Sequence, residues 1–255
     1  MVRESKVDKL LVKRCDSRVE MAKVAAEDVS AMIKKLLAEK EEVNMIFGAA
    51  PSQDEFLENI KNDASIDFSR INVFHMDEYI GISPDAPQGF GKYLRDRLFD
   101  QVPFKSVNCI DCTAVDPEAE GERYSQVLRD NPTDIVCLGI GENGHIAFND
   151  PPVADFNDPK LVKIVELDPV CRQQQVNDGC FATLSDVPTH ALTLTVPALV
   201  RAPYAVCVVP ATTKAQAVHD TLCNDEISEK CPATILRRHD NATLYIEPNS
   251  ASLLD

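Results

Sequence analysis

Two stretches of the chain place proton-moving side chains just after apolar runs. In the first, Asp77-Glu78-Tyr79 follows the apolar run 71–76. A carboxylate at the end of such a run is placed to meet a ligand, and Asp77 is a candidate general base if burial or a neighbouring acid raises its pKa towards neutrality. An acid there equally starts a turn or caps a helix. In the second, the run 134–140 leads into Gly139-Ile140-Gly141-Glu142-Asn143-Gly144-His145, and Asp150 lies five residues beyond the histidine. Glycines at 139, 141 and 144 permit a tight turn and close approach of the backbone to a ligand. His145 adds an imidazole able to exchange protons in both directions near neutral pH. A nucleotide loop competes for this composition. However, a Walker loop ends in Gly-Lys-Ser/Thr, absent here, and a dinucleotide fingerprint belongs to a first βαβ unit rather than to mid-chain. A hydrogen-bonded turn histidine is the commonplace alternative.

These residues need a scaffold, and the pattern supplies one. Apolar residues at Val19, Met21, Val24, Ala25, Val29, Met32, Ile33, Leu36 and Leu37 follow a helical period, and Ser17 with Glu20 forms a capping box at its start. Short apolar runs recur at 43–50, 71–76, 134–140, 161–167, 191–196, 204–209 and 243–247, with amphipathic stretches at 89–99, 118–129 and 214–223 between them. Several runs are apolar throughout, as strands covered on both faces are. The alternation predicts an α/β three-layer sandwich with a mostly parallel central sheet flanked by helices, a modified Rossmann-like arrangement. Ligands of such sheets bind beyond the carboxyl ends of the strands, where Asp77 and the His145 loop fall. After the first run, Gly48-Ala49-Ala50-Pro51 leads to Ser52-Gln53-Asp54-Glu55, a second capping box whose helix N-terminus would favour an anion. Capping alone accounts for Ser52 equally well.

Composition narrows the classes further. No repeat, low-complexity tract or linker divides the 255 residues, so one domain over 1–255 is expected. A net charge of −15 argues against nucleic-acid and anionic-membrane partners, yet not against a small anion held by local amides and one lysine. Nine cysteines, several inside apolar runs, read as reduced and buried. Cys109 and Cys112 form a Cys-x-x-Cys without a second ligand pair at zinc spacing, so no metal is expected. The N-terminus lacks a secretory core and no run approaches the ~18 apolar residues of a membrane span, which predicts a cytoplasmic protein.

The two motifs together, His75-Met76-Asp77-Glu78-Tyr79 and the stretch from Gly139 to Phe148-Asn149-Asp150-Pro151, closely resemble the glucosamine-6-phosphate deaminase/isomerase family. The similarity runs from about Val43 to the region 236–247 and includes the segment 191–199. The wider superfamily includes 6-phosphogluconolactonases, whose glycine–histidine loop tends to continue as Ser-Leu-Phe-Pro. Phe148-Asn149-Asp150-Pro151 stands there instead and favours the deaminase branch. The resemblance implies ring opening, aldose–ketose isomerisation and deamination of an amino-sugar 6-phosphate, with no metal and no organic cofactor. It assigns Asp77 the proton transfer between C2 and C1 and His145 the ring-opening acid–base step. Asp150 stands where the family carries a glutamate that orients this histidine. Asn143 replaces a third acid of some members and is assigned to positioning. Gly48, Ser52, Glu78, Gly141 and Gly144 are implied substrate contacts, and Lys214 a phosphate ligand. A family arginine expected near 175–177 has no equivalent; Arg172, one turn earlier, is taken as a substrate contact in its place, with Arg237 and Arg238 as the other candidates. His75, His190, His219 and His239 are left outside the site. The departures keep galactosamine-6-phosphate beside glucosamine-6-phosphate as substrate. They also leave two other readings: a lactonase in which His145 activates water, and a sugar-phosphate-binding regulator without turnover. Self-association into a homo-oligomer is left open.

Overall fold

The computed structural model describes residues 2–254. In chain order its elements are β1 (Arg3–Val7), β2 (Leu10–Arg14), α1 (Arg18–Glu39), β3 (Val43–Phe47), α2 (Asp54–Lys61), β4 (Ile71–His75), β5 (Asp77–Tyr79), α3 (Phe90–Leu94), β6 (Ser106–Asn108), α4 (Pro117–Asp130), β7 (Ile135–Leu138), β8 (Val162–Glu166), α5 (Pro169–Asn177), β9 (His190–Leu194), α6 (Val196–Val200), β10 (Tyr204–Val209), α7 (Ala215–Cys223) and β11 (Ala242–Ile246). Eight strands form the central sheet in the order β1-β2-β11-β10-β7-β3-β4-β6, parallel except for the β1–β2 hairpin.

Alternation explains the layers. In β3 and β7, Met45, Phe47, Ile135 and Cys137 point into the core beneath α1 and α2, whereas Ile46, Val136 and Leu138 point into the opposite core. Residues one apart on a strand face opposite ways, so a run apolar throughout requires cover on both sides. The predicted three-layer α/β sandwich is the observed one. Helix α1 buries Met21, Ala25, Val29 and Ile33, and Ser17 Oγ accepts the Glu20 amide at 3.1 Å. Glu20 reaches back to the Asp16 amide, one residue before the cap, at 2.7 Å. Val19, expected on the apolar face, is 70% exposed.

Two features depart from expectation. The β1–β2 hairpin, four of whose first five residues are exposed, carries too many charges to read as a strand pair. In addition, β5, β9 and β8 form a separate antiparallel sheet, with Asp77 opposite Thr193. The chain therefore leaves the central sheet at Met76, whose carbonyl accepts the Leu194 amide at 2.8 Å, and enters the second sheet at Asp77. A third core of Tyr79, Phe90, Phe148, Val165 and Cys171 fills the space under this small sheet.

The sheet order positions the site. From β3 the chain proceeds outward through β4 to β6, then returns to place β7 on the other side of β3. The loops after β3 and β7 diverge there and open a crevice between them, the topological switch point where ligands of parallel sheets bind.

Candidate active site

Loops from the carboxyl ends of β3, β4, β7 and β10 enclose a cavity of about 160 Å³. A cavity of roughly 150 Å³ accepts benzene, so one sugar ring fits. Asp77, Gly141, His145, Gly48, Ser52 and Lys214 all line it.

Asp77 is 7% exposed, and its carboxylate accepts no hydrogen bond from the described residues. Burial, reinforced by the adjacent Glu78 charge, raises its pKa well above the ordinary carboxylate value. Glu78 does not join it at the cavity, which corrects its expected role as a substrate contact. Strand alternation turns Glu78 away, and its two oxygens accept the amides of Tyr79, Phe90 and Gly91 at 3.0, 3.1 and 2.8 Å. The acid beside Asp77 therefore caps the start of α3. Burial raises the Glu78 pKa, and these three donors oppose the shift.

His145 is oriented from behind. Its Nδ1 lies 2.8 Å from Asn143 Oδ1 and 2.9 Å from Asp150 Oδ1, and Asn143 Nδ2 donates to that same Asp150 oxygen at 2.9 Å. With Nδ1 engaged, Nε2 is left for a ligand. Aspartate at 150 is long enough because the loop folds tightly: Gly141 donates to the His145 carbonyl at 2.9 Å and Gly144 to the Gly141 carbonyl at 3.0 Å. Burial drives the Asp150 pKa up, but the hydrogen bond and charge of His145, with hydrogen bonds from Asn143 and Cys171, outweigh it and leave the pKa lowered. Ala147, on the cavity wall, holds φ at +47°, a strained conformation of the kind that clusters at functional sites.

Gly141 is indispensable to this loop. A Cβ there would lie 2.0 to 2.3 Å from three atoms of the His145 ring. Gly141→Ala is expected to tilt the imidazole and lower kcat by about 100-fold, since ~1 Å of misplacement costs that much. A melting curve alongside the turnover assay separates this from misfolding, and unchanged kcat would show that the ring is not where it acts. Gly144, expected to contact substrate, lies outside the cavity lining. It adopts φ +83° and packs on Cys231, whose Sγ would stand 2.6 Å from an added Cβ.

At the other end of the cavity, Lys214 is 6% exposed, and its ammonium has no hydrogen bond or ion pair among the described residues. Burial lowers its pKa, while Asp178, Glu142 and Cys171 pull it upward. Nearby, the Ala49 and Ala50 amides have no acceptor among the described residues. Ser52 lines the cavity, but the capping box predicted for it is absent. Pro51 to Gln53 form a 3₁₀ turn, α2 starts at Asp54, and Ser52 Oγ instead accepts from Gln53 Nε2 at 3.1 Å.

Arg172 does not reach the cavity, a second correction. Its Nη2 donates to the Leu184 and Val187 carbonyls, both at 2.8 Å, and fastens the loop after α5. Arg237 is held by Asp8 and the Asn224 carbonyl, and Arg238 by the Ile227 carbonyl. The arginine that lines the cavity is Arg18, at the first position of α1. Its Nη2 donates to Pro51 O and Glu55, and its buried Nε has no acceptor. A cation in the first turn opposes the helix dipole, and that is the sequence signal that could have singled it out. Gln53, Gln174 and Gln175 on the walls gave no comparable signal.

His145, Asp150 and Cys171 bring one donor atom each within 4.8 Å of one another. Burial and the charges of Asp150 and Asp77 push the Cys171 thiol up, and Nδ1 is already shared with Asn143 and Asp150. The trio fits a hydrogen-bonded network better than a metal site.

Comparison with known proteins follows the same lines. The family described as glucosamine-6-phosphate isomerases/6-phosphogluconolactonase matches residues 16–245. A glucosamine-6-phosphate deaminase of Bacillus cereus is 36% identical over 230 residues, covering 89% of this chain and 84% of its own length. One from an Exiguobacterium species is 36% identical over 221 residues, 87% of this chain and 84% of its own. Among solved structures, a monomeric glucosamine-6-phosphate deaminase superposes with a TM-score of 0.86 at 29% identity, over 95% of this chain and 99% of that one. The 6-phosphogluconolactonase of Thermotoga maritima shares the fold at a TM-score of 0.76 and 19% identity, over 92% and 98%.

Proposed function

The chain belongs to the glucosamine-6-phosphate isomerase/6-phosphogluconolactonase family, and from that premise we propose that it is a glucosamine-6-phosphate deaminase. The observation that carries the reading is one cavity with a buried, protonatable Asp77, an imidazole held by Asp150 and Asn143, and an unpaired buried lysine at the far end. The lysine end takes the phosphate, with the Ala49 and Ala50 amides, Ser52 and the Arg18 guanidinium around it. His145 Nε2 then takes the proton of the C1 hydroxyl and passes it to the ring oxygen, opening the sugar. Asp77 takes the C2 proton and returns it at C1. This aldose–ketose shift leaves an imine at C2, which water hydrolyses to the ketose 6-phosphate and ammonia. A lactonase needs an activated water but no base between C1 and C2, and for it the costly burial of Asp77 would serve nothing. Nine unpaired cysteines support a reducing, cytoplasmic setting, and no helix among the described residues is long and apolar enough to cross a membrane.

The test is ammonia release from glucosamine-6-phosphate and from galactosamine-6-phosphate at matched concentration. Turnover of the first is expected, and the ratio of rates fixes the sugar. Silence on both, with hydrolysis of 6-phosphogluconolactone, would replace this reading with the lactonase.

A further inference from the structure

Asp150 is completely buried, and its two oxygens are used unequally. Oδ1 takes both His145 Nδ1 and Asn143 Nδ2, whereas Oδ2 has no partner at standard hydrogen-bond geometry. A buried carboxylate oxygen left bare is destabilising, so a donor is expected at hand. The neighbouring donor is the thiol of Cys171, itself fully buried, with Sγ within 4.8 Å of an Asp150 oxygen and of a His145 ring nitrogen. The pull of this thiol is among the causes that lower the Asp150 pKa, after those of His145 and Asn143.

The position of Cys171 adds a second argument. It sits in the first turn of α5, which Asp168 caps by accepting the Val170 amide at 2.8 Å. One turn on, Gln174 Oε1 accepts the Glu142 amide at 2.9 Å. Residues three apart share a helix face. That face of α5 therefore meets the histidine loop at two points, Gln174 at its start and Cys171 at its end. Cys171 shares a hydrophobic cluster with Tyr79, Phe148, Val165 and Leu167, and the charges of Asp77 and Asp168 also act on its thiol.

We propose that Cys171 is a positioning residue of the deaminase, its thiol donating to Asp150 Oδ2 and so locking the carboxylate that holds His145 as the Nδ1–H tautomer. A thiol suits this place because sulfur is large enough to fill the apolar core yet still donates weakly. Cys171 is 0% exposed and lies outside the cavity lining, so it acts only through Asp150.

The inference rests on the deaminase reading, and its test separates the two. Cys171→Ala is expected to lower kcat about tenfold, at the low end of what removing an orienting partner costs, with KM for glucosamine-6-phosphate within about twofold. Cys171→Ser, which restores a donor, is expected to recover most of that loss. ¹⁵N NMR of the His145 ring in the resting protein reads the tautomer without turnover: Nδ1–H dominates in wild type and Cys171→Ser and becomes a mixture in Cys171→Ala. If Cys171→Ala does not fold, the serine variant and the wild-type ring signals decide. A wild-type ring without the Nδ1–H signature, a serine variant as slow as alanine at an unchanged melting temperature, or an alanine variant with native kcat would each overturn the proposal. Absence of turnover with an intact tautomer difference would overturn only the deaminase reading.

Discussion

Asp77→Asn is expected to lower kcat by about 10²–10⁴-fold while raising the melting temperature. The first half follows from geometry and charge. The carboxylate is at the cavity wall, accepts no hydrogen bond from the described residues, and has its pKa raised well above the ordinary value by burial and the Glu78 charge. Such a carboxylate is a stronger base than an exposed one for taking the C2 proton, and once protonated it is still acid enough to return that proton at C1. Asparagine keeps shape and polarity but cannot accept the proton, so binding of the phosphosugar should persist as turnover collapses. The wild-type rate should also fall on the acid side at a pH well above that of an exposed aspartate, and this limb should vanish with the substitution. The second half is linkage. A raised folded-state pKa means that the folded protein holds a proton that the unfolded chain has already released, so stability is full below the unfolded value and falls as pH rises through the folded one. At neutral pH the native aspartate is therefore a burden that asparagine removes, at about 2–4 °C per kcal/mol for a chain of this length. Near pH 4 the difference should shrink towards zero. Turnover within tenfold of wild type, or a stability gain that does not decline with acid, would show that Asp77 is not the buried base.

How far the site was legible depends on what each residue's neighbours contribute. His145, Asn143 and Asp150 were legible because their relation is local: ten residues, 141–150, with glycines at 141 and 144 leave few ways for the ring and the acid to miss each other. Glu78 was misread although the rule that places it was at hand. Successive strand residues face opposite sides, so Asp77 and Glu78 cannot both meet one cavity. Ser52 was misplaced because Pro51 permits a 3₁₀ turn before α2, moving the helix start to Asp54. The central strands β3, β4, β7 and β10 were plain from their apolar runs. The antiparallel sheet was not, because β5 has two acids in three residues and gains its order by pairing with β9, more than a hundred residues away. Arg172 and Arg18 mark the limit. A long cation is the same in sequence whether it reaches a cavity or fastens loop carbonyls, and only the fold brings the start of α1 beside the loop after β3.

Lys214→Met is expected to raise KM for glucosamine-6-phosphate by about 10–100-fold with kcat within about threefold, and to stabilise the unliganded protein. The ammonium is buried without an ion pair, so in the resting state it bears a desolvation cost that Asp178 and Glu142 offset only in part. Its lowered pKa fixes the sign. The unfolded chain binds the lysine proton more tightly, so the loss of stability is full at neutral pH and is relieved as pH rises towards the ordinary lysine value. Methionine keeps the stem and drops the charge, removing that cost together with a charge-assisted hydrogen bond worth ~1.5–3 kcal/mol to the phosphate. Inorganic phosphate offers a check that needs no chemistry. It should raise the melting temperature of wild type and leave the variant unmoved, because a ligand stabilises only a fold that binds it. Arg18 should contribute less, since Glu55 already shares its guanidinium. An unchanged KM with phosphate protection intact would move the anion site away from Lys214 and leave the buried lysine without a role, an outcome that its burial cost makes hard to sustain.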